Sequence, residues 1–282
     1  METAVDHDAE TIVTVIGVPT GACPVCGSPR VETRYGPSRF AECPACGLGR
    51  VLGYDGGRAD YWASKETSDP YWADAKRRYF LSALAMLPRG RLLDLGGGTG
   101  EFAAVALEAG WDAYSFDTSP DATAAARARL GRRALEVPAG GFDVVTLWCV
   151  VAHLLEPGQL LESARTALRG GGTLWLTTPN FAFQRRYARL LALVHRPLLF
   201  GTSDDHVWHF TTHSLRRLLE AHGFHDVRFH HRGVIEWCST GHSSSRLLIS
   251  GKRAWNSVVY AGYRLGMPLA TSELQVTARL PE

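Results

Sequence analysis

The sequence predicts an α/β fold: a parallel sheet with helices on both faces, and a small cysteine-bound module ahead of it. Three observations carry that prediction. Short apolar runs at 91–95, 112–116, 143–148 and 173–177 are bounded by turn residues, and the first three lead into segments of helical character. The first run ends in a glycine-rich turn, Leu92-Leu-Asp-Leu-Gly-Gly-Gly-Thr-Gly100, and the second closes on an acid, Asp117. Two Cys-x-x-Cys-Gly turns precede them all. Alternation of strand and helix implies parallel strands joined by crossovers. A chain of 282 residues with 45% hydrophobic content can bury one main core and a small appendage.

The cysteine module comes first. Cys23-Pro-Val-Cys26-Gly27 and Cys43-Pro-Ala-Cys46-Gly47 place paired thiolates on two tight turns, which together offer four soft ligands in a tetrahedral arrangement. This is a zinc-ribbon signature, and the module is expected over residues 1–55. Redox pairs or disulfides would leave the duplicated turn unexplained. No leader-like apolar segment precedes the first turn, so a cytoplasmic location is expected. A closed set of four thiolates has no open coordination position, which makes the zinc structural. Such a ribbon could cover a substrate mouth, mediate self-association, with which a homodimer is compatible, or touch RNA. Residues 56–90 are expected as a helical linker. Its aromatic pairs, Tyr61-Trp62 and Tyr71-Trp72, fit core packing or the wall of a cavity.

The glycine turn comes next. It ends Gly98-Thr-Gly-Glu-Phe102 without the Gly-Lys-Ser/Thr of a phosphate-cradling loop, and its glycines at 96, 98 and 100 do not follow the G-x-G-x-x-G spacing of dinucleotide sites. Asp94 just ahead would repel a pyrophosphate but suits a ligand bearing ammonium and sulfonium charges. Asp117, at the next strand end, can hold two ribose hydroxyls. Asp94-Leu-Gly96-Gly-Gly98-Thr-Gly100 resembles the first motif of class I S-adenosylmethionine-dependent methyltransferases. Later segments resemble that family's elements in order. Gly141 to Trp148 is similar to its fourth strand, and Leu168 to Asn180 to the turn and fifth strand. Val227-Arg-Phe229 with Glu273 to Arg279 is similar to the antiparallel pair that closes such sheets. The resemblance spans roughly residues 70–282. It implies a Rossmann-like seven-stranded methyltransferase sheet within a domain over 91–282, with S-adenosylmethionine held by Asp94, Gly96, Gly98, Gly100, Asp117 and Trp148. One departure stands out. The interval Leu130 to Gly141 is too short for a full third strand, which is expected to be clipped to a few residues near Arg133 to Leu135. Glu136 is then the acid available for the adenine, or else a solvated loop charge.

Acceptor groups should come from loops beyond the carboxyl ends of the fourth and fifth strands. Trp148-Cys-Val-Val-Ala-His153-Leu resembles a family segment in which Asp is frequent at the position of Cys149 and Glu at that of Ala152. His153 can act as a general base toward an acceptor hydroxyl, or simply pack the start of a helix. Cys149 and Cys238 have apolar neighbours and are expected in the core. Residues 181–210 lack a counterpart in the sheet and are expected to form a lid. Its close, Asp204-Asp-His206-Val-Trp-His209-Phe-Thr211, would face His206 and His209 to the substrate. A second metal on Asp205, His206, His209 and His230 is conceivable, though exposed histidines usually bind nothing. The net charge of +2 and the lack of a long basic tract do not give the footprint of an RNA binder. The expected function is methyl transfer from S-adenosylmethionine to the oxygen or carbon of a small molecule, a sugar or a secondary metabolite of natural-product biosynthesis. Nucleic acid and a transmembrane segment are not expected. A zinc-ribbon rRNA methyltransferase is the alternative, and a non-catalytic binding protein on the same fold is a third reading.

Overall fold

The computed structural model describes residues 14–35, 38–54, 70–137, 139–192, 206–230 and 272–282, with Ser250, Ala254, Ser257 and Val258 between them. In chain order come β1 (Thr14–Ala22), β2 (Pro29–Tyr35), β3 (Ser38–Glu42), β4 (Gly49–Val51), α1 (Pro70–Leu84), β5 (Arg91–Leu95), α2 (Glu101–Glu108), β6 (Asp112–Phe116), α3 (Pro120–Leu130), β7 (Ala134–Leu135) and β8 (Phe142–Trp148). They are followed by α4 (Pro157–Ala167), β9 (Leu168–Pro179), α5 (Phe181–Ala192), β10 (Trp208–His209), α6 (Thr212–Ala221), β11 (His225–His230) and β12 (Glu273–Arg279).

Seven strands make the main sheet, in the order β11-β12-β9-β8-β5-β6-β7. The five strands β9, β8, β5, β6 and β7 are parallel, and β12 runs antiparallel between β9 and β11. The expected strands and the closing antiparallel pair are all present. The third strand is clipped to Ala134–Leu135, as the short interval required. The runs are nearly continuous in apolar residues because both faces are covered. The two-residue period sends Leu92, Val144 and Trp175 into a core with α1, α2 and α3, while Leu93, Val145, Leu174 and Leu176 enter a core with α4 and α6. All seven are fully buried, each contributing roughly 1.5–3 kcal/mol of apolar transfer free energy.

Local chemistry starts the helices where the sheet needs them. Ser119 caps α3 and Pro120 opens it. Thr211 caps α6 in a reciprocal arrangement with Ser214. Among the described residues no helix is long and apolar enough to cross a membrane.

The cysteine module is fastened to this domain. Its strands form a second sheet, β1-β2-β3-β4-β10, whose last strand comes from the far half of the chain and pairs antiparallel with β4, Trp208 opposite Arg50 and His209 opposite Gly49. Helix α5, the first part of the segment expected as a lid, lies against the module. The Phe181 ring packs 5.2 Å from Phe40 and 6.0 Å from Tyr35. Arg185 pairs with Glu42, which also accepts a hydrogen bond from the Tyr35 hydroxyl at 2.8 Å. The remainder of the expected lid, 193–205, lies outside the described residues, as do Tyr61, Trp62, Asp205 and Cys238.

The contact at Gly49 is tight: a Cβ there would come within 2.5 Å of the buried Phe181 ring. Neighbouring Phe40, Tyr35 and His209 leave that ring nowhere to move. Gly49→Ala is therefore expected to destabilise the protein by about 1–3 kcal/mol, measured as a lowered urea midpoint.

Candidate functional site

The carboxyl end of β5 and the turn after it form one pole of the site. Asp94 pairs in register with Ser115 of β6 and Thr146 of β8, and is 1% exposed. Burial pushes its carboxyl up, the Thr146 hydroxyl donating at 2.8 Å pulls it down, and nearby Asp117 raises it again; the result is about 7. Gly96, Gly98 and Gly100 all adopt left-handed backbone, with φ of 73°, 55° and 77°, which bends the strand into α2 within a few residues. Asp117 spans this turn. One carboxylate oxygen accepts from Gly98 N–H at 2.9 Å and the other from Ser119 N–H at 2.8 Å, and each keeps lone-pair capacity for a further donor. Trp148, ending β8, stacks among aromatic rings, 4.7 Å from Phe102, 4.9 Å from Phe80 and 5.2 Å from Tyr79. The carboxylates of Asp94 and Asp117 with the turn's backbone amides suit a cationic nucleoside, and the cations nearby have protein partners, Arg129 on the Thr99 oxygens and Lys76 on Glu101. Glu136, the acid considered for the adenine, is exposed and paired with Arg127 at 2.8 Å.

A second pole follows β8. A Cβ on Gly96 would lie 2.8 Å from Val150, so the bare glycine lets the β8 loop press directly on the turn. In that loop Cys149 has φ of 60°, a conformation costly for a residue with a side chain. Its N–H is held by Thr177, with both the carbonyl and the hydroxyl oxygen at 3.1 Å. Its sulfur lies 3.1 Å from His206 Nε2, and the His206 ring stacks on His153 with centroids 4.4 Å apart. Burial pushes the Cys149 thiol up, but the charge of His206 and hydrogen bonds from His153 and His206 outweigh it and bring it down to about 6.

The expectation that Cys149 is a core residue is thus corrected: it touches two histidines. The missed signal was the Cys149-x-x-x-His153 pair at a strand end, which apolar Val150, Val151 and Ala152 disguised. His206 reaches this pole because Val207 N–H and Trp208 N–H both donate to the Ala152 carbonyl, at 2.8 and 3.0 Å, and Trp208 Nε1–H donates to the Leu155 carbonyl at 3.1 Å. His209 points elsewhere. It is 1% exposed, packs on Phe40 and Phe181, and meets Gln184 Oε1 through Nδ1 at 3.1 Å.

The four cysteines of the module converge. Cys23 and Cys46 sulfurs are 3.6 Å apart, Cys26 and Cys43 3.5 Å, and all four ligand atoms lie within 4.8 Å of one another. A tetrahedral metal with bonds of about 2.3 Å to sulfur separates its ligands by about 3.8 Å, so the quartet fits zinc. The two turns are built alike: Cys23 N–H donates to Ser28 O and Gly27 N–H to Cys23 O, while Cys43 N–H donates to Leu48 O and Gly47 N–H to Cys43 O, all at 2.8 Å. The second turn is also strapped to α6, where Thr211 Oγ1 donates to the Cys46 carbonyl at 2.7 Å. Thr211→Val removes this strap and the α6 cap together. A loss of about 1–2 kcal/mol is expected in chemical denaturation, with Thr211→Ser close to the parent.

The profile of a methyltransferase domain family matches residues 67–228, more than half of the chain. Ubiquinone biosynthesis O-methyltransferases from strains of Xanthomonas campestris pv. campestris are 25% identical over 134 residues, 43% of this chain and 56% of theirs. The chain thus spans little more than half the length of those curated relatives. Among solved structures, a SAM-dependent methyltransferase from Archaeoglobus fulgidus aligns with a TM-score of 0.47 at 16% identity, covering 75% of this chain and all of that one. An S-adenosylmethionine-dependent methyltransferase from Mesorhizobium loti aligns with a TM-score of 0.45 at 20% identity, covering 73% and 99%. The matched segment runs from before α1 to β11 and includes both poles of the site, and by it the chain belongs to the methyltransferase domain family.

Proposed function

We propose that this protein transfers the methyl group of S-adenosylmethionine to a hydroxyl of a small-molecule acceptor. The observation that carries the reading is the contact between the two poles: the acidic glycine turn after β5 and the Cys149–His153–His206 cluster after β8 meet at Gly96 and Val150. S-adenosylmethionine, when bound, supplies a methyl carbon made electrophilic by its sulfonium charge. Asp117 is the residue for the ribose hydroxyls. Asp94 supplies negative charge beneath the turn, Gly96, Gly98 and Gly100 allow the close approach, and Trp148 gives an aromatic wall. His153 receives the acceptor's proton as its oxygen gains the methyl carbon, and Cys149 and His206 orient that ring in place of the carboxylate a base commonly uses. His206 lines the acceptor end, and His209 supports it from behind through the module. The O-methyltransferase activity named for the Xanthomonas relatives favours oxygen over carbon as the acceptor atom.

The ribbon cysteines Cys23, Cys26, Cys43 and Cys46 hold a structural zinc in this reading, and thiol ligands suit a reducing cytoplasmic compartment. The ribbon's place is at the acceptor end. Val51 N–H of β4 donates to Val207 O at 3.1 Å, next to the histidine that meets Cys149.

Titration calorimetry of the zinc-loaded protein with S-adenosylmethionine tests the core of the reading, and absence of binding overturns it. Asp117→Ala is expected to abolish binding. His153→Ala should bind within about twofold of the parent while losing about 10²–10⁴ in turnover; unchanged turnover removes His153 as the base.

Binding should also depend on pH. A cationic ligand favours the ionised Asp94, whose carboxyl sits at about 7 in the free protein. Affinity should therefore weaken as pH falls below 7, with proton release on binding near neutrality, and Asp94→Asn should flatten the profile. Removing zinc by strong chelation, or Cys43→Ser, should lower the thermal midpoint and turnover together, because β4 and β10 share one sheet.

A further inference from the structure

We propose that Cys149, His153 and His206 form a second metal site, for one divalent cation of the zinc class, at the acceptor end of the main sheet. One ligand atom from each of the three lies within 4.8 Å of the others. The sulfur is 3.1 Å from His206 Nε2, and the two imidazole rings lie 4.4 Å apart and 29° from parallel, so one ring turns for both in-plane lone pairs to meet the same ion. A tetrahedral cation bound to a thiolate and an imidazole holds those atoms about 3.5 Å apart, so the pair has to open by only a few tenths of an ångström.

The donor set selects the ion. One thiolate with two imidazoles suits zinc and similar borderline cations and is poorly matched to magnesium or calcium, which take oxygen. The backbone that carries Cys149 and His206 is held before any ion arrives. Thr177 holds the Cys149 backbone in its left-handed conformation, and the Ala152 and Leu155 carbonyls hold the segment that carries His206. Such support from outside the ligands is what a metal site needs to keep its geometry.

Of the other histidines considered from the sequence, His209 meets the His206 ring edge-on at 6.1 Å but turns Nδ1 to Gln184 between the Phe40 and Phe181 rings, while His230 meets Thr277 Oγ1 at 2.8 Å and stacks on Trp175. The ligand that joins His206 is the sulfur of Cys149.

This site differs from the ribbon in kind. Four thiolates close a coordination sphere, whereas three ligands leave a fourth position open, the mark of a metal that meets substrate. The inference rests on the proposed methyl transfer in one respect: the open position is where that reading puts the acceptor hydroxyl. With the cation bound, the pKa of a hydroxyl at the open position falls and its proton leaves to solvent, so the base role of His153 belongs to the metal-free protein.

The test is metal stoichiometry of the full chain, with S-adenosylmethionine binding measured on the same samples. Zinc-loaded parent protein is expected to carry two zinc ions per chain, falling to one in Cys149→Ser and separately in His206→Gln. Cobalt added to protein whose ribbon already holds zinc should give a thiolate-to-cobalt absorption band that Cys149→Ser abolishes. Retained S-adenosylmethionine binding in the two site variants shows that they are folded. One zinc per chain in the parent, unchanged in Cys149→Ser and His206→Gln, overturns the site even if S-adenosylmethionine binds. Two zinc ions without S-adenosylmethionine binding overturn the methyl-transfer reading and leave the site standing.

Discussion

The segment from His206 to Thr211 is bonded on both sides, and the pole of the site after β8 depends on it. Toward the module, Trp208 and His209 extend the sheet of β4 and Thr211 holds the Cys46 carbonyl. Toward the main domain, Val207 and Trp208 donate to Ala152 and Leu155 in the loop after β8. A strand of two residues would be negligible alone. Here it is a clamp, because its buried backbone bonds the loop after β8 on one side and β4 on the other; leaving one such group unpaired costs roughly 1–3 kcal/mol.

That clamp explains why a cysteine module accompanies this catalytic fold. The quartet of thiols fixes two turns, the second turn leads into β4, and β4 aligns β10. The loop carrying His206 is thereby placed over Cys149 and His153, 57 and 53 residues away in sequence. A long segment with no fixed end would deliver a histidine to that position only at a large cost in conformational entropy. The module therefore acts on the site through its backbone, at a distance from the chemistry.

The two poles of the site are made differently. The pole after β5 is local: strand, turn and helix within residues 91–108, completed by Asp117 from the neighbouring strand. Its geometry is written in glycine φ angles and a carboxylate, both of which follow from residue type. The pole after β8 gathers Cys149, His153 and His206, supported by Thr177 and by two carbonyls. Nothing in a window of sequence joins His206 to the other two. Cys149 sits among valines and looks like packing, and only the crossing of the 206–211 segment shows that its sulfur faces nitrogen.

From residues alone, the parallel strands, the glycine turn and the convergence of four cysteines were legible, because each rests on short-range rules: the period of buried strands, glycine where the backbone turns left-handed, and paired thiols on duplicated turns. The seven-strand count, the clipped third strand Ala134–Leu135 and the antiparallel close came from the resemblance to the methyltransferase family. The tertiary structure decided that the module joins the main domain through β10, that α5 packs on the module through Phe181 and Arg185, and that His206 meets Cys149 while His209 is walled in by Phe40 and Phe181. Those outcomes depend on which distant backbone groups satisfy one another once buried, and that accounting closes only when the whole chain is in place.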